Sequence, residues 1–550
     1  MKNVKFYLLT LLIIVGLFSC QKEIETNPDN QGRANDDIEP QGMIVLGKKL
    51  ENPYSLKNMK KAYENLKNSG QLKSGSVEDF EITATHLYVR FLPEDTNDLN
   101  KLWADKSIEL FDFPLDYEIV KEGFYYQDPE IPLGKPTWQY TSVPVDYKLP
   151  DVKYELLEEC YIPDEEDSGL KGASLGNFYE QLEYEAFRIT GNLKMFNNLK
   201  STKGFWSKKQ PEGIIRVYNN AKKSGSNSEI GLEGIMGVKV RVHNFVKWDT
   251  EYTDENGYYK MSKSYRTNVH YAIVFENKTG FLIWGNWAFF ACANYNMGWH
   301  PNSGHSRDIY SNSQAWLWAN INNAAYIYSE KLCPKFGILK PPLNTTIWAL
   351  RRTSSKWAGS APMLRHIVFT TEELNSMQYG INITFEGEDN WYLGNFSPDL
   401  FIYNKTDAKA IYSTVFHELS HASHFSKVGQ TYWKKYVKHI VDNKGYGKGT
   451  EPEAGYCGVG EMWANYFGNY ICCRDYFGSE YGYDPDELWY NPGFLQYSVS
   501  YTRDLTTGKV YSCLKPTVTD IEKLRTELKT QTSYGTQVDR AYTIYPDWPK

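Results

Sequence analysis

The sequence predicts a multidomain α+β protein. Its 550 residues exceed what one hydrophobic core usually holds, since domains typically run to roughly 150 residues. Helical spacing of apolar residues and strand-like alternation occupy separate stretches of the chain, and residues 206–290 carry strand and turn signals alone. We therefore expect a mixed α/β domain over residues 43–205, a small β domain over 206–290 and an α+β domain over 300–550.

The composition is that of a folded protein without a nucleic-acid partner. Hydrophobic residues make up 41% and charged residues 23%, and the net charge of −7 is spread without long runs of one sign. A basic surface for nucleic acid is therefore not expected. Aromatic residues reach 15%, which suits both sheet cores and clefts that stack on sugars or extended peptides. Burial statistics favour the first interpretation.

The N-terminus has the pattern of a secretory signal. A lysine-bearing start precedes an apolar run from Phe6 to Phe18, which is too short to span a bilayer. The run ends in LFSC, which resembles the lipobox of bacterial lipoproteins. That resemblance implies removal of residues 1–19 and a diacylated Cys20 that attaches the chain to a membrane. The alternative is an ordinary secreted protein with a free cysteine near its start.

Residues 20–42 are expected to form a disordered tether, because they are polar and offer little to bury. Their acidic and amide residues resemble the surface-export signals of lipoproteins in Bacteroidetes-type bacteria. This resemblance implies an exported, lipid-anchored protein of the outer membrane or cell surface. No later stretch reaches 18 consecutive apolar residues.

Seven cysteines follow Cys20. None of them forms a CxxC pair, so a zinc site built from cysteines is not expected. An exported chain can form disulfides, but an odd number leaves at least one thiol unpaired.

The first ordered domain, residues 43–205, should combine helices with strands. Apolar residues recur at helical spacing from Leu56 to Leu66, after an N-cap candidate at Ser55 and before a stop at Gly70. THLYVRFLP then follows as a strand.

The small β domain contains the strand candidates GIIRVYN, GVKVRVHNF and HYAIVFENKTGF, with a hairpin turn at Asn256–Gly257. In GVKVRVHNF, valines alternate with Lys239, Arg241 and His243, which is typical of a half-buried strand. This order of strands and turns resembles the small β-sandwich of carboxypeptidase regulatory domains. The resemblance implies a structural or carbohydrate-associated module without catalysis. We interpret His243 and His270 as structural strand residues.

The C-terminal domain should combine a buried helix with strands. SQAWLWANINNAAYIYSEKL has the apolar density of a long buried helix, and TTIWALRR, RHIVFTT and PDLFIYN are strand candidates. PDLFIYN comes shortly before TVFHELSHASHF, the stretch richest in histidine. We consider it a candidate edge strand, to which an extended peptide adds as a further strand.

TVFHELSHASHF predicts a metal site on a helix. Thr406 is a candidate N-cap and Gly429 a terminator, and apolar residues at helical spacing give the helix one buried face. Residues four apart project from the same face, so His417 and His421 can bind one Zn²⁺. Glu418 is rotated off that line, where it can take a proton from a zinc-bound water and pass it to a leaving amine.

Such a site needs a third protein ligand. His424 lies roughly 10 Å along the helix axis from His417, so we interpret it as structural or substrate-facing. The metzincin pattern is excluded, because it requires a glycine at that position. Glu461 lies in a second helix-like stretch, GVGEMWANYFGNY. Asn465, one turn further, is a candidate to hold the second nitrogen of a ligating histidine.

Two alternatives to a ligand role for Glu461 stay open: another glutamate is the ligand, or Glu461 has a purely structural role. Glu451 and Glu453 precede it in GTEPEAGYCG, which Pro452 marks as a loop. Glu461 also fits the role of an acid near a helix N-terminus, where the helix dipole favours negative charge.

The arrangement resembles the gluzincin class of zinc peptidases, in which HExxH on one helix is completed by a glutamate on a following helix, with an acid or amide four residues later. The implied roles are zinc ligands His417, His421 and Glu461, general base Glu418 and outer-shell residue Asn465. Asn465 is an amide where an aspartate is commoner, and the NExxSD motif of the best-known members is absent from the sequence. Membership of a particular family within the class therefore stays open. The candidates for stabilising the oxyanion include Tyr466, Tyr470 and His439.

These features predict a surface-anchored zinc metallopeptidase, a gluzincin-like endopeptidase with a zincin-like catalytic domain. Its expected substrates are extracellular or host proteins and glycoproteins. The alternative is a non-catalytic surface lipoprotein that binds glycans or glycoproteins and carries a degenerate HExxH helix. The intact trio of His417, Glu418 and His421 favours the enzyme, because a binding module needs none of them.

Overall fold

The structure is a computed structural model, and it describes most of the chain after residue 41. The described residues are 42–70, 80–132, 135–163, 173–196, 208–222, 231–285, 292–310, 313–350, 359–367, 399–403, 407–486 and 489–545. They belong to one compact unit, and the fold is mixed α+β, as predicted. The predicted signal peptide, Cys20 and the tether up to residue 41 lie outside the described residues.

The N-terminal part mixes helices and strands. Its elements are β1 (Val45–Lys49), α1 (Leu56–Asn68), β2 (His86–Phe91), α2 (Thr96–Ala104), β3 (Tyr117–Lys121), β4 (Gln139–Pro144), β5 (Tyr154–Cys160) and α3 (Ala173–Ile189). Strands β4, β2 and β5 form an antiparallel sheet in that order, and β1 pairs with β3. Helix α1 begins at the predicted cap Ser55, whose hydroxyl accepts a hydrogen bond from the Asn58 amide, and it packs against α3.

Two further sheets contain the remaining strands. These are β6 (Glu212–Tyr218), β7 (Leu232–Gly234), β8 (Val238–Asn244), β9 (Lys247–Tyr252), β10 (Tyr258–Lys260), β11 (Val269–Asn277), β12 (Phe281–Trp284), β13 (Asn294–His300), β14 (Arg307–Ile309), β15 (Thr345–Leu350), β16 (Gly359–Ser360) and β17 (Leu400–Tyr403). The large sheet has the order β16-β17-β15-β12-β11-β8-β9, and β13 also pairs with β11. In the smaller sheet, β6 pairs with β7, β10 and β14.

The strands of residues 206–290 form where they were predicted, but they do not close into a sandwich of their own. β12 pairs in parallel with β15, and β6 pairs in parallel with β14, so strands that come after residue 290 complete both sheets. Without β15, the backbone groups on one edge of β12 would stay unpaired inside the molecule. The expected separate β-sandwich is therefore replaced by two sheets shared with the C-terminal part.

Strand β8 also differs from its expected half-burial, because all seven of its residues are buried. Its polar face, with Lys239, Arg241 and His243, lies under the N-terminal part of the chain. The His243 ring packs 5.1 Å from the Phe111 ring, and Arg241 donates a hydrogen bond to Glu109 at 3.1 Å. The alternation that predicted a solvent-facing side instead marks a polar contact between two layers.

Helices form most of the C-terminal part. They are α4 (Gln314–Ile327), α5 (Cys333–Phe336), α6 (Ala408–Asn443), α7 (Ala454–Ala464), α8 (Cys473–Phe477), α9 (Gly493–Tyr501), α10 (Thr507–Cys513), α11 (Ile521–Thr530) and α12 (Gly535–Ile544). Segments of π-helix, Tyr328–Leu332 and Asn465–Cys472, continue α4 and α7. Helix α4 is buried from Ala315 to Ile327 and packs on α6, which confirms the predicted buried helix.

Of the three strand candidates in the C-terminal part, TTIWALRR and PDLFIYN contain β15 and β17, which pair in parallel. In RHIVFTT, Arg365 and His366 lie in a turn and Ile367 in a bend, so the described part is not a strand, and the remaining residues 368–371 lie outside the described residues. The Asp399 carboxylate accepts hydrogen bonds from the Arg365 amide and His366 Nδ1, and such local side-chain bonds compete with a strand ladder.

The predicted edge strand is also corrected. β17 has β15 on one side and β16 on the other, and β16 is antiparallel to it. Within the described residues, β16 is therefore the end of the large sheet. This places the sheet edge one strand away from where the sequence suggested.

All seven cysteines after Cys20 lie among the described residues and are unpaired thiols. Six of them are buried, and Cys292 is partly exposed. In the part of the chain that the structure describes, no helix combines the length and apolar character needed to cross a membrane.

Candidate metal centre

The motif TVFHELSHASHF lies on α6, as predicted. The helix begins at Asp407, whose carboxylate accepts a hydrogen bond from the Ala410 amide at 2.9 Å. Asp407 is therefore the N-cap in place of Thr406, in line with the stronger capping preference of aspartate. Gly429 has φ 78° and ψ 176°, so the first helical run ends there, as predicted. The chain then re-enters a helix at once, in a new direction, which the sequence analysis did not anticipate.

Two histidines of α6 and a glutamate of α7 converge on one point. His417 Nε2 lies 3.2 Å from His421 Nε2 and 3.5 Å from Glu461 Oε2. His421 Nε2 lies 3.4 Å from Glu461 Oε1. The fold therefore brings together the three residues that were predicted as zinc ligands.

This spacing fits a tetrahedral zinc ion. Zinc binds histidine nitrogen and carboxylate oxygen at roughly 2.0–2.2 Å, so two ligands at tetrahedral positions lie about 3.4 Å apart. The separation of the two histidine nitrogens and the distance from each of them to its nearer Glu461 oxygen are close to that value, with a different carboxylate oxygen facing each histidine. Glu461 is 1% exposed, and its Oε2 has no hydrogen-bond partner within the described residues. A buried carboxylate of this kind needs a cation beside it.

Of the three glutamates considered as a third ligand, Glu461 is the one that lies beside both histidines in the described part of the chain. Glu461 lies in the interior of α7, so it is not an acid at the start of a helix. Glu451 accepts a hydrogen bond from the Lys448 amide, and Glu453 pairs with Lys435. Neither of these glutamates belongs to the cluster.

Two glycines allow α7 and its π-helical continuation to approach α6 closely. A Cβ on Gly468 would lie 2.6 Å from the backbone nitrogen of His417, and a Cβ on Gly460 would lie 3.0 Å from the Tyr436 ring. Side chains at these positions would push the two helices apart. Glycine at both positions is thus what brings Glu461 within reach of the histidines.

Asn469, and not the predicted Asn465, holds the second nitrogen of a histidine. Asn465 donates its side-chain hydrogen bond to the Glu461 carbonyl, within its own helix. His417 Nδ1 lies 3.0 Å from Asn469 Oδ1, and the Asn469 amide nitrogen donates to the Gly482 carbonyl, which fixes the orientation of the amide. His417 Nδ1 therefore carries a proton, and its Nε2 presents a lone pair to a metal.

The π-helix explains this shift of four residues. From Asn465 to Cys472 the backbone makes i→i+5 hydrogen bonds, and the wider turn rotates each residue by less than in an α-helix. Asn469 therefore returns to the face that carries Glu461. Regular α-helical spacing had placed Asn465 there, and the sequence carried no signal for the π-helix that we recognised.

Tyr436 also contacts the cluster, and it was not predicted from the sequence. Its hydroxyl donates a 2.6 Å hydrogen bond to Glu461 Oε1, and its ring stacks on Trp433 at 4.4 Å. The turn at Gly429 brings the second half of α6 over the cluster, which is how Tyr436 reaches Glu461. A helix break followed by renewed helical spacing was the signal that could have revealed it.

Glu418 lies beside the cluster in a cavity of about 80 Å³. It is 5% exposed, and the cavity is closed on one side by β16. A Cβ on Gly359 would lie 2.5 Å from Glu418 Oε1, so a glycine is required where this strand passes the carboxylate. The cavity also contains the rings of Tyr436 and Tyr446.

His424 has no part in the cluster, in agreement with its interpretation as a structural residue. It is fully buried between the rings of Tyr432 and Trp433. Neither ring nitrogen has a hydrogen-bond partner in the described part of the chain. Burial lowers the pKa of His424 to about 3, so the ring is neutral at physiological pH.

The three side chains named as candidates for stabilising an oxyanion are engaged elsewhere. Tyr466 bonds to Thr507, Arg474 donates to Tyr470, and His439 lies between the carbonyls of Pro452 and Tyr446. None of the three lines the cavity, whereas Tyr446 does.

The charges of the cluster hold one another in place. Burial opposes charge on His417, but the adjacent Glu461 carboxylate and the charge of Glu418 raise its pKa to about 9. Burial likewise opposes charge on Glu461, and the two histidines outweigh it and hold the pKa of Glu461 well below its usual value. Burial lowers the pKa of His421. Without a metal, His417 is therefore protonated on both ring nitrogens at neutral pH, and it lies beside an ionised Glu461.

Comparison of the chain with family models, curated proteins and solved structures gives no significant match. The chemistry of the site is accordingly inferred from its own residues.

Proposed function

We propose that this protein is a zinc-dependent metallopeptidase of gluzincin type, with a zincin-like catalytic region. The observation that carries this proposal is the convergence of His417, His421 and Glu461 at a spacing that suits zinc, with Glu418 beside them in a cavity. The substrates are extracellular or host proteins and glycoproteins. The lipobox-like sequence supports an exported chain, anchored through Cys20 to the outer membrane or cell surface.

Each residue of the cluster has one task. His417, His421 and Glu461 would hold the ion, and Asn469 and Tyr436 orient two of these side chains. A zinc ion held there would supply a Lewis acid.

Glu418 moves the proton. It lies next to His417 in the sequence and lines the same cavity as the cluster without belonging to it, so its carboxylate is placed to accept a proton from the attacking water. It then delivers that proton to the leaving amine nitrogen. The burial of Glu418 limits exchange of the proton with bulk water.

Tyr446 supplies a hydrogen-bond donor to the developing oxyanion. It lines the same cavity, and the charge of Glu461 together with burial keeps the pKa of the phenol well above its usual value. The hydroxyl is therefore protonated at neutral pH and can donate.

Strand β16 offers the place for an extended substrate. It ends the large sheet within the described residues, and Gly359 and Ser360 line the cavity. A peptide that adds beside β16 runs past Glu418, which places a backbone amide next to the cluster.

The test compares wild type, Glu418→Gln and Glu451→Gln at full zinc occupancy, on casein and on a mucin-type glycoprotein. Glu418→Gln keeps the shape of the side chain and removes the proton acceptor. Zinc content should therefore stay the same, while hydrolysis falls by at least about a hundredfold. Glu451→Gln is the matched control, because Glu451 lies outside the cavity. Wild type that hydrolyses neither substrate, or an active Glu418→Gln variant, overturns the proposal.

A further inference from the structure

A second cavity lies between the polar face of the large sheet and the N-terminal part of the chain. Its volume is about 440 Å³, compared with about 80 Å³ at the metal centre. Cavities of roughly 300–1,000 Å³ accommodate small ligands. Among the described residues, the two cavities share no lining residue.

Aromatic rings form part of the cavity wall. Trp103 comes from α2, and Trp248 and Tyr252 come from β9. The two β9 residues are four apart, so they share one face of the strand. Tyr252 is 37% exposed, which places its ring where the cavity meets solvent. Flat apolar rings of this kind pack against the C–H faces of a sugar ring.

Paired charges form the floor. Lys239 donates to Glu109 at 3.1 Å and to Glu276 at 2.8 Å, and Arg241 donates to Glu109 at 3.1 Å. The Tyr252 hydroxyl donates to Glu276 at 2.9 Å. The two cations and two carboxylates of the floor balance one another. Lys106, Lys278 and Asp105 also line the cavity, which adds one positive charge to the described lining. A charged ligand on the floor would have to compete with the existing ion pairs.

The floor retains unused hydrogen-bonding capacity. Lys239 uses two of its three N–H donors on Glu109 and Glu276 within the described residues, whereas Arg241 is already bonded to Glu109, the Leu110 carbonyl and Asn294. A guanidinium carries five N–H donors, an ammonium three, and a carboxylate has about four acceptor positions. The bonds between these side chains use only part of that number. A ligand with several hydroxyl groups both donates and accepts, so it satisfies both kinds of group.

From the aromatic wall, the compensated charges and the unused donors, we infer that this cavity is a second binding site, which takes a neutral sugar. A binding site here also explains why the buried strand β8 carries polar side chains on the face that lines the cavity. Sugar binding here requires no zinc, because no member of the metal cluster lines the cavity.

The experiment titrates the full chain with a panel of small ligands by ligand-observed NMR and calorimetry. The panel contains neutral sugars (glucose, galactose, N-acetylglucosamine and N-acetylgalactosamine), an acidic sugar (glucuronic acid) and a nucleoside (adenosine). We expect at least one neutral sugar to bind with and without a zinc chelator, and glucuronic acid to bind more weakly.

The variant is Tyr252→Ala, with Tyr258→Ala as its matched control. Both tyrosines are exposed to a similar extent, at 37% and 40%. Both hydroxyls donate a 2.9 Å hydrogen bond to a glutamate, Glu276 and Glu212 respectively. Tyr258 does not line the cavity. Removing the Tyr252 ring should weaken sugar binding by about tenfold, and Tyr258→Ala should leave it unchanged.

Three results would overturn the inference. The first is that no neutral sugar binds wild type more tightly than about 10 mM. The second is that sugar binding survives Tyr252→Ala unchanged. The third is that adenosine or glucuronic acid binds in the cavity and the neutral sugars do not. Loss of peptidase activity in a Glu418 variant would have no bearing on any of these results.

Discussion

Replacing Gly359 by alanine should impair catalysis without removing the metal. A Cβ at this position would lie 2.5 Å from Glu418 Oε1 and 2.8 Å from Thr414 Cγ2. Ordinary contact requires roughly 3.5 Å, so the Glu418 carboxylate or strand β16 must move by about 1 Å. Displacing a catalytic group by that amount costs about a hundredfold in rate, or about 2.7 kcal/mol in transition-state free energy.

The assay is hydrolysis of labelled casein by zinc-saturated protein, together with zinc content by mass spectrometry. We expect kcat/KM of Gly359→Ala to fall by about a hundredfold, with zinc stoichiometry unchanged because the three ligands are untouched. Gly535→Ala is the control, since its nearest new contact is the flexible Lys529 side chain at 3.4 Å. Full activity of Gly359→Ala would show that the close approach of β16 to Glu418 is not needed, and would refute the reasoning.

Three further predictions follow from the same geometry. Asn469→Ala should weaken zinc affinity by about 10- to 100-fold, because His417 loses the partner that fixes its tautomer. Asn465→Ala is the control and should leave zinc affinity nearly unchanged. Competition with a chelator measures both affinities, and equal losses would contradict the role of Asn469. Zinc must displace the proton that His417 holds with a pKa of about 9, so apparent zinc affinity should fall by about tenfold for each pH unit below 9. Zinc titrations at pH 7 and pH 8 measure this slope, and equal affinities at the two pH values would contradict the prediction. His424→Leu should raise the free energy of unfolding by about 1 kcal/mol, because the substitution removes two buried nitrogens that lack hydrogen-bond partners in the described part of the chain. Urea unfolding at a fixed zinc concentration measures this free energy, and a clear loss of stability would contradict the prediction.

The sequence predicted the features of the site that depend on local spacing. His417 and His421 share a helix face because they are four residues apart, and Glu418 is offset because it is one residue on. These relations hold within a single helical turn, and no tertiary contact changes them. Glu461 was predicted from the gluzincin resemblance and from the amide four residues later. The structure places Glu461 beside both histidines, although that amide, Asn465, bonds within its own helix.

What the sequence missed depends on departures from regular helices and on contacts between distant segments. The π-helix after α7 moves the outer-shell role from Asn465 to Asn469. The turn within α6 at Gly429 brings Tyr436 to Glu461. The π-helix leaves no mark in the apolar periodicity. Gly429 was interpreted as the end of the helix, so the helical spacing after it was not used.

The sheets show the same limit at a larger scale. The strands of residues 206–290 could be located from alternation and turns, but their partners could not. β12 pairs with β15, more than 60 residues later in the chain, and alternation within a strand does not identify its neighbour. For this reason the sequence predicted a separate β-sandwich over residues 206–290, whereas its strands belong to two sheets that later strands complete.

The most direct test of the central claim is zinc K-edge X-ray absorption on the purified full chain, combined with metal analysis. The site should hold about one zinc per chain, with two imidazole nitrogens and a carboxylate oxygen at about 2.0–2.2 Å, and His421→Ala should abolish this signal. Absence of stoichiometric zinc, or sulfur ligands at about 2.3 Å, would contradict the assignment of His417, His421 and Glu461 as the metal ligands.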